Sequence, residues 1–266
     1  GNLETYSYDL NAVASELLDE KKHDVSLAEL PHAWDNENED LEKFCEYCLN
    51  DSVLTYNLAV KMLPTIIEMV KIVGIPIYDV NRMGFSQLVE WYIMKQAPQF
   101  NEIAPNKPNN DEVQQRRLST YQGAFVYEPK PGFYKDIVVF DFRSLYPTIL
   151  SSHNIGTDTI NCACCEGTAK MIPGDESEKH WFCAKRKGFI PTLIEDLISR
   201  RIRIKEIIKE EHDEKFAFLD ARQNSLKLLA NSFYGYLGFF GARWYSIECA
   251  RSITAWGRFY IHKVID

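Results

Sequence analysis

The chain has 266 residues, of which 45% are hydrophobic and 26% are charged, a composition typical of a globular protein with a buried core. No apolar run approaches the roughly 20 residues that a membrane-spanning helix needs, and the first ten residues lack the basic start and apolar stretch of a signal peptide. These features argue against both a membrane protein and a secreted protein, and we expect a cytoplasmic location.

The charge of the chain is unevenly distributed. Its net charge is −8, which by itself argues against a nucleic-acid partner. Residues 185–263, however, contain 15 Lys and Arg against 9 Asp and Glu, so this third carries +6 and the remainder −14. A basic region suits contact with phosphates, because Lys and Arg displace condensed counterions from nucleic acid. A solvated helix face with a chance excess of charge would have the same composition.

Apolar spacing predicts that the first part of the chain is helical. Apolar residues recur at three- and four-residue intervals in residues 8–20 and 39–73, and residues 84–97 have a similar pattern. Residues 97–112 are rich in Pro and Asn, which indicates a linker or an exposed loop and a candidate domain boundary.

The middle of the chain favours strands followed by an irregular region. Residues 123–127 and 136–141 are predicted as strands, with a turn at Pro131-Gly132 between them. Residues 161–187 are rich in Cys and lack a regular apolar period.

The last third is again helical. Residues 192–214 and 216–234 are predicted as two charged helices joined by a short turn, which makes an antiparallel hairpin the expected arrangement. Residues 246–265 are predicted as a final helix.

The segment IVVFDFRSLYPTIL combines an apolar strand with a carboxylate at its end, Asp141. A carboxylate at the mouth of a buried strand is costly unless it is paired or binds a metal. Mg²⁺ takes one or two protein carboxylates together with substrate phosphates, which makes Asp141 a candidate ligand. An aspartate that caps a helix or forms a salt bridge would explain the position equally well on these grounds alone.

A second group of polar residues follows in the segment KLLANSFYG. Lys227, Asn231 and Tyr234 are spaced so that they share one helix face, and a cation beside an aromatic ring suits an anionic ligand with a base. Arg201 and Lys205 are neighbours at i and i+4 on the preceding helix. A surface helix decorated with charge is the alternative, and a shift of one residue to Arg200 remains open.

The segments DFRSLYP, KLLANSFYG and GFIPTLIEDLISRR resemble the conserved motifs of family B DNA polymerases of the archaeal, replicative type. The resemblance implies template-directed DNA synthesis from dNTPs, with two Mg²⁺ ions that clamp the attacking and leaving oxygens. It also implies roles for individual residues: Asp141 and the backbone carbonyl of Phe142 as metal ligands, Tyr146 as the residue that excludes a 2′-hydroxyl, Arg201, Lys205 and Lys227 as contacts to the triphosphate, and Asn231, Tyr234 and Gly235 around the nascent base pair.

The resemblance extends over nearly the whole chain. Tyr47 and Asp51 resemble the third motif of the 3′–5′ exonuclease, in which the aspartate binds a metal. The run Tyr121-Gln-Gly123-Ala resembles an element between the exonuclease and polymerase domains that senses primer–template DNA. ARWYSIECARSITAWGR resembles the palm helix that follows the fingers in archaeal members.

The fold class that follows is α+β, with a helical exonuclease remnant, part of an antiparallel-sheet palm and an antiparallel two-helix fingers hairpin. The expected division, in chain order, is the C-terminal helical part of the 3′–5′ exonuclease domain at 1–73, a connector at 74–112, the first part of the palm at 113–187 with a Cys-rich insertion at 161–187, the fingers at 188–240, and an incomplete second part of the palm at 241–266.

Several motifs of the family do not occur in the sequence. We expect the first two exonuclease motifs before residue 1, and the third polymerase motif, Asp-Thr-Asp, and the thumb after residue 266. The chain would then be a fragment or one subunit of a split enzyme, inactive alone, with the missing segments in the same gene or in a partner chain. A sliding clamp would bind through the missing part. A 3′–5′ exonuclease fragment and a non-catalytic module that binds primer–template DNA are the alternatives.

Four cysteines and one histidine lie close together in the Cys-rich insertion. The pattern of Cys162, Cys165, His180 and Cys183 has spacing suited to a tetrahedral Zn²⁺ site. The resemblance to thermophilic relatives implies instead a disulfide between Cys165 and Cys183, and free thiols are the third possibility. Each of these would be structural, bracing an insertion between palm and fingers.

Overall fold

The structure, a computed structural model, describes residues 5–23, 25–36, 40–174, 180–210 and 215–265. The α-helices of this part of the chain are α1 Leu10–Leu18, α2 Leu30–Asn36, α3 Asp40–Val73, α4 Ile77–Arg82, α5 Phe85–Gln96, α6 Asn110–Leu118, α7 Leu145–Ser152, α8 Phe189–Glu210, α9 Lys215–Leu237 and α10 Ile247–Ile265. Short 3-10 turns lie at Leu27–Glu29, Ala97–Phe100 and Ala163–Cys165. The helical predictions are therefore confirmed at the positions of α1, α3, α5, α8, α9 and α10.

The chain forms two compact units, residues 1–67 and residues 68–266. In the first unit, α1 packs on α3 through a small apolar cluster of Ala14, Leu54 and Leu58. Asp9 caps α1, because its side chain accepts a hydrogen bond of 2.9 Å from the backbone N–H of Ala12.

The second unit is built around α9, which packs against α5, α7, α8 and α10. Leu229, Phe233 and Tyr236 of α9 are completely buried, and the ring of Phe233 meets Tyr92 of α5 edge-on at 6.2 Å between centroids. The Tyr236 hydroxyl donates a hydrogen bond of 3.0 Å to the Glu90 carboxylate, so the buried phenol is satisfied. Helix α9 is thus held on several sides at once.

Helix α8 begins at a well-defined capping site. Asp158 accepts a hydrogen bond from the backbone N–H of Phe189 at 3.2 Å, and Pro191 in the first turn loses no intrahelical bond, since the first N–H groups of a helix have no partner within it. The side chains of Leu193, Ile194 and Leu197 are buried at helical spacing. This apolar stripe packs α8 along α9.

The predicted strands at residues 123–127 and 136–141 are not found, and the described residues contain no sheet, only isolated bridges Ile160–Phe182 and Met171–Trp181. A strand requires a hydrogen-bonded neighbour, and none of the described segments pairs with either of these two. Val139 and Phe140 are 86% and 89% exposed, so the apolar side chains of the second segment are not buried by the described residues. The helical part of the predicted α+β fold is confirmed, and the sheet is not.

Helix α6 lies partly inside the predicted linker. Asn109 accepts a hydrogen bond from the Glu112 N–H at 2.9 Å, and the Glu112 side chain accepts one from the Asn109 N–H at 2.8 Å. This reciprocal capping box starts a helix even where the preceding residues are rich in Pro and Asn. The Asn-x-x-Glu spacing was visible in the sequence.

Helix α3 is long and apolar enough, by length and by a mean hydropathy of 1.3 over 18 residues, to meet a criterion for crossing a membrane. The core helices of proteins outside membranes meet the same criterion, so one such helix is weak grounds for a span. Lys61, Glu68 and Lys71 interrupt its apolar sequence.

We expect the folded second unit to lose stability in mild acid, because it contains a buried histidine stacked on a tryptophan. His153 lies against Trp256 with 3.7 Å between ring centroids and shares a hydrogen bond of 2.9 Å with the Tyr260 hydroxyl. Burial, together with the charge of Lys170, lowers the pKa of His153 to about 4. Because the unfolded imidazole, with its ordinary pKa near 6.5, binds its proton first, stability is complete above this value and falls as the pH drops from 6.5 towards 4.

This dependence is measured as the urea midpoint of unfolding between pH 7 and pH 4. We expect His153→Phe to flatten the midpoint over this range, because the stack remains and the titrating group is gone. Tyr260→Phe removes the same hydrogen bond but keeps the imidazole, so it should lower stability while retaining the slope. An unchanged slope in His153→Phe would contradict this assignment.

Candidate active site

A cavity of about 610 Å³ opens where three elements of the second unit meet. Its wall combines the turn before α7, α7 itself, and facing side chains of α8 and α9, and its lining residues are Asp141, Phe142, Arg143, Ser144, Leu145, Tyr146, Pro147, Arg201, Lys205, Lys227 and Asn231. The predicted metal-binding aspartate and the predicted cationic residues therefore lie around one space, although they are up to 86 positions apart in the sequence.

Helix α9 presents its polar residues on the side opposite its core. Lys227 and Asn231 are exposed towards the cavity, whereas Leu226 and Leu229 are buried at 2% and 0% exposure. The spacing of three and four residues separates these two sides of the helix. The predicted shared face is confirmed for Lys227 and Asn231, and Tyr234 lies half-buried one turn further on.

Arg201 of α8 is held by two neighbouring elements. Its guanidinium donates hydrogen bonds to the Ser144 hydroxyl at 2.9 Å and to the Gln223 side-chain oxygen of α9 at 3.3 Å. The Gln223 amide group donates in turn to Asp220 at 2.9 Å, which fixes the orientation of its oxygen. A long cationic side chain is thus positioned before any ligand binds.

The side chain of Arg200 lies outside the cavity, which shows that Arg201 is the arginine of α8 that faces the site. Its guanidinium forms a salt bridge with Asp196 on the same helix, with 2.9 Å between Nη2 and the carboxylate. Because Arg201 lines the cavity and Arg200 does not, the shift by one residue that the sequence left open is not needed to bring a cation to the site.

The cavity carries an excess of positive charge. Four cations, Arg143, Arg201, Lys205 and Lys227, face it, and Asp141 is the only carboxylate among its described lining residues. Desolvation, and then the nearby charge of Arg143, lowers the pKa of Arg201 from its usual value, because burial and a neighbouring cation both disfavour the charged form. A polyanion entering the cavity would relieve this repulsion.

Four cavity residues were missed by the sequence reasoning, Arg143, Ser144, Leu145 and Pro147. Of these, Arg143 and Ser144 have polar side chains. Ser144 adopts a left-handed backbone conformation, with φ of 50°, at the residue that begins α7, and the Thr148 hydroxyl donates to the Arg143 carbonyl at 3.0 Å. This turn directs both side chains towards α8. Their places within DFRSLYP were visible, but nothing in residue type or spacing alone indicated the conformation that joins them to Arg201.

A smaller cavity of about 120 Å³ continues along α8 from the main one. Arg143, Arg201 and Lys205 line both cavities, and Lys209 lines the smaller one only. The cationic surface therefore extends along α8 by one helical turn beyond Lys205.

Aromatic residues close the other side of the site. The rings of Tyr146 and Tyr234 lie 4.7 Å apart, and the Tyr234 and Tyr121 hydroxyls are hydrogen-bonded at 2.9 Å. Burial raises the pKa of Tyr146 and of Tyr234, so both phenols stay neutral. A Cβ at Gly257 of α10 would lie 3.2 Å from the Tyr146 ring, which explains the absence of a side chain there.

The loop that contains Tyr121 and Gly123 is tied to α10. The Thr254 hydroxyl donates to the Gln122 carbonyl at 2.9 Å, and Arg258 donates to the carbonyls of Gln122 and Gly123 at 2.9 and 2.7 Å. Gly123 and, on α9, Gly235 are exposed, with open space where a Cβ would be. Gly123 and Gly235 are therefore accessible on fixed elements, whereas Tyr121 is half-buried.

Asp141 and the Phe142 backbone offer the oxygen ligands that Mg²⁺ prefers. Both residues line the main cavity, and a cation there would lie among groups that also attract phosphate. One protein carboxylate is sufficient for a magnesium ion that takes its remaining ligands from water and substrate, so the residues present fit such an ion.

Tyr47 and Asp51 lie together on α3 in the first unit. Lys22 joins them, since its ammonium group lies 2.8 Å from the Asp51 carboxylate and 4.5 Å from the centre of the Tyr47 ring. Hydrogen bonds to Asp51 and then to Tyr47 raise the pKa of Lys22. The sequence analysis did not identify Lys22, which lies 29 residues from Asp51 and carries no motif of its own.

The cysteine-rich insertion differs from the predicted ligand set in one residue. The Sγ atoms of Cys162, Cys164, Cys165 and Cys183 lie within 4.8 Å of one another, whereas His180 is not among them and its Nδ1 lies 3.4 Å from the Asn161 side-chain nitrogen. The backbone bridges at Trp181 and Phe182 position the segment that precedes Cys183, and this pairing cannot be read from spacing. Cys164 therefore replaces His180 in the group.

Comparison with known proteins agrees with this geometry. The sequence profile of DNA polymerase family B matches residues 75–266. The chain is 41% identical over 265 residues to DNA polymerase 1 of Pyrococcus abyssi and 42% identical over 268 residues to the DNA polymerase of Thermococcus gorgonarius, and each alignment covers 99% of this chain. These alignments cover 33% of each relative, so the chain spans about a third of their length.

A solved structure gives the same result. The family B DNA polymerase from the hyperthermophilic archaeon Pyrobaculum calidifontis superposes with a TM-score of 0.81 at 31% identity, over 98% of this chain and 34% of that protein. The match of the family profile to most of the sequence, and of the fold to a solved member, leads to one conclusion: the chain belongs to DNA polymerase family B.

Proposed function

We propose that this chain contributes the nucleotide-binding part of a template-directed DNA polymerase, which joins a dNTP to the 3′-hydroxyl of a primer. The observation that carries the proposal is the single cavity in which Asp141 faces Arg201 and Lys227. Two hydrogen bonds hold an arginine of α8 beside three other cations, and among the described residues of the cavity wall only Asp141 carries a negative charge. The whole enzyme would include further segments, in the same polypeptide or in a partner chain.

The cations of α8 and α9 bind the triphosphate in this proposal. Phosphoryl transfer leaves little covalent work for the protein, so positioning and charge neutralisation dominate. Arg201 offers a planar fork fixed by Ser144 and Gln223, suited to a phosphate with several oxygens. Lys227 and Lys205 add mobile point charges.

The oxygen ligands of the site would hold Mg²⁺. Asp141 supplies the carboxylate and Phe142 its backbone carbonyl. When bound, a pair of such ions stabilises the charge that develops on the attacking and leaving oxygens. The cysteine cluster takes no part in this chemistry.

The aromatic side of the cavity selects the nucleotide. Tyr146, fixed by Tyr234 and by the close approach of Gly257, would lie under the sugar and leave no room for a 2′-hydroxyl. Asn231 and Tyr234 would shape the space for the new base pair. Tyr121, Gly123 and Gly235 would contact primer–template DNA, for which their exposure or hydrogen bonding to fixed helices suits them.

The architecture that we propose for the assembled enzyme follows the sequence analysis. Helices α8 and α9 would form the fingers, and residues 136–141 would be a strand of an antiparallel palm sheet. Ile137 to Phe140 are between 68% and 89% exposed, and pairing with the segment that carries the third polymerase motif would cover them. Tyr47 and Asp51 would belong to the exonuclease part of the same enzyme, which acts inside the cell on the nucleoid.

Substitution of Asp141 tests whether the site is catalytic or only binds DNA. In the complete polymerase, we expect Asp141→Ala to lower the rate of single-nucleotide incorporation by roughly a thousandfold or more, because an ion at the reacting oxygens is lost. The affinity for primer–template should change little, and Asp51→Ala should leave incorporation intact. A complete polymerase that incorporates as well with Asp141→Ala as without it would overturn the assignment.

The adjacent residues Arg200 and Arg201 of α8 allow a matched pair of substitutions that tests the proposed contact with the triphosphate. We expect Arg201→Ala to lower kcat/KM for dNTP by about 10- to 100-fold, the loss of a hydrogen bond to a charged group. Arg200→Ala removes the same charge one residue away and should change kcat/KM by about twofold at most. Steady-state incorporation of one nucleotide gives both numbers, and equal effects of the two substitutions would refute the role of Arg201.

Selection of the sugar is tested at Tyr146. We expect Tyr146→Ala to raise the ratio of kcat/KM for ribonucleotides over deoxyribonucleotides by roughly 10- to 100-fold, because space opens beside the 2′ position. Tyr146→Phe keeps the ring and should keep the discrimination. If the alanine variant discriminated as strongly as the unchanged enzyme, the selecting residue would lie elsewhere.

A further inference from the structure

The four clustered thiols have the spacing of a tetrahedral metal site. The Sγ of Cys164 lies 3.7 Å from that of Cys165 and 3.5 Å from that of Cys183, and Cys165 and Cys183 are 3.9 Å apart. All four sulfurs, with Cys162, fall within 4.8 Å of one another. Zinc binds thiolates at about 2.3 Å, so the edges of a tetrahedral site are ~3.8 Å long, which matches the three distances among Cys164, Cys165 and Cys183.

We propose that Cys162, Cys164, Cys165 and Cys183 bind a structural Zn²⁺ ion as four thiolates. The proposal differs from the Cys₃His set that sequence spacing favoured, and it stands independently of the polymerase reaction. Four protein ligands complete a closed tetrahedral shell, the arrangement of structural rather than catalytic zinc.

Backbone groups around the cluster are arranged to stabilise thiolates. The N–H of Ala184 points at the sulfur of Cys165 at 3.4 Å, and the N–H of Arg186 points at the sulfur of Cys183 at 3.3 Å. Hydrogen bonds to the ligand sulfurs offset their negative charge and fix their orientation, as outer-shell contacts of metal sites do.

The four ligands lie on two short segments that backbone hydrogen bonds join, such as those from Asn161 to Trp181 at 2.8 Å and from Cys183 to Thr159 at 3.0 Å. Cys162–Cys165 form one turn, and Cys183 follows a segment attached by the isolated bridges Ile160–Phe182 and Met171–Trp181. The Trp181 indole donates to the Cys162 carbonyl at 3.0 Å. A metal at this point would close the insertion between α7 and α8.

The closed insertion leads directly into the start of α8. Asn154 donates to the carbonyls of Cys183 and Arg186 at 2.7 and 2.8 Å, and it accepts from the Gly188 N–H at 2.8 Å. Helix α8 begins at the next residue, Phe189. The ion would therefore stabilise the base of the helix that carries Arg201, without contacting the cavity.

The metal content of the complete polymerase, purified without chelator or added zinc, tests the proposal. We expect the unchanged enzyme to contain zinc. Cys164→Ser should lose the metal, because its affinity for zinc falls by on the order of 100-fold or more. His180→Gln should retain it. Replacement by Co²⁺ should give the visible absorption of a tetrahedral site with four sulfur ligands. Cys48→Ser, at an exposed cysteine of the first unit, is the control and should keep the metal.

Thermal unfolding provides a second readout that does not depend on activity. Because zinc binds the folded state, its removal by chelator should lower the Tm of the unchanged enzyme and leave that of Cys164→Ser unaltered. Retention of zinc by Cys164→Ser with its loss from His180→Gln would overturn the four-thiolate set. Absence of zinc from the unchanged enzyme, with Cys165 and Cys183 found joined in a disulfide by mass spectrometry, would overturn the site itself.

Discussion

The arrangement of the site depends on how Arg201 is held. Its hydrogen bonds to Ser144 and Gln223 connect the turn before α7, helix α8 and helix α9, so three separate stretches of sequence meet at one guanidinium. Desolvation, and then the nearby charge of Arg143, lowers the pKa of Arg201. A phosphate-bearing ligand would offset the repulsion between these cations.

The buried core supplies the rigidity that this arrangement needs. Phe233 and Leu229 lie at 0% exposure directly behind the polar face of α9, so Lys227 and Asn231 project from a helix that is packed on its other sides. Tyr121 and Gly123 are fixed in the same way by α9 and α10. Function and stability therefore use opposite faces of the same helices, which is how a short piece of chain can present several functional groups at fixed distances.

Sequence reasoning predicted the long helices from local periodicity, and it predicted seven of the eleven cavity residues, mainly from the resemblance of their motifs to those of family B polymerases. It did not predict the contacts that depend on backbone conformation, such as the left-handed turn at Ser144 or the exchange of His180 for Cys164 in the thiol cluster. It overestimated the strand at residues 136–141, since a run of apolar residues with high strand propensity forms a strand only when a partner is present to pair with it. Lys22, distant from Asp51 in sequence and without a motif, had no local signal.

The central claim is that a nucleotide triphosphate lies between Asp141 and the cations of α8 and α9. A structure of the complete polymerase with primer–template DNA, a non-hydrolysable dNTP and Mg²⁺ tests this most directly. The account predicts phosphate oxygens within hydrogen-bonding distance of Arg201 and Lys227, and a metal ion on the Asp141 carboxylate. A triphosphate bound away from these side chains, with Asp141 free of metal, would contradict it.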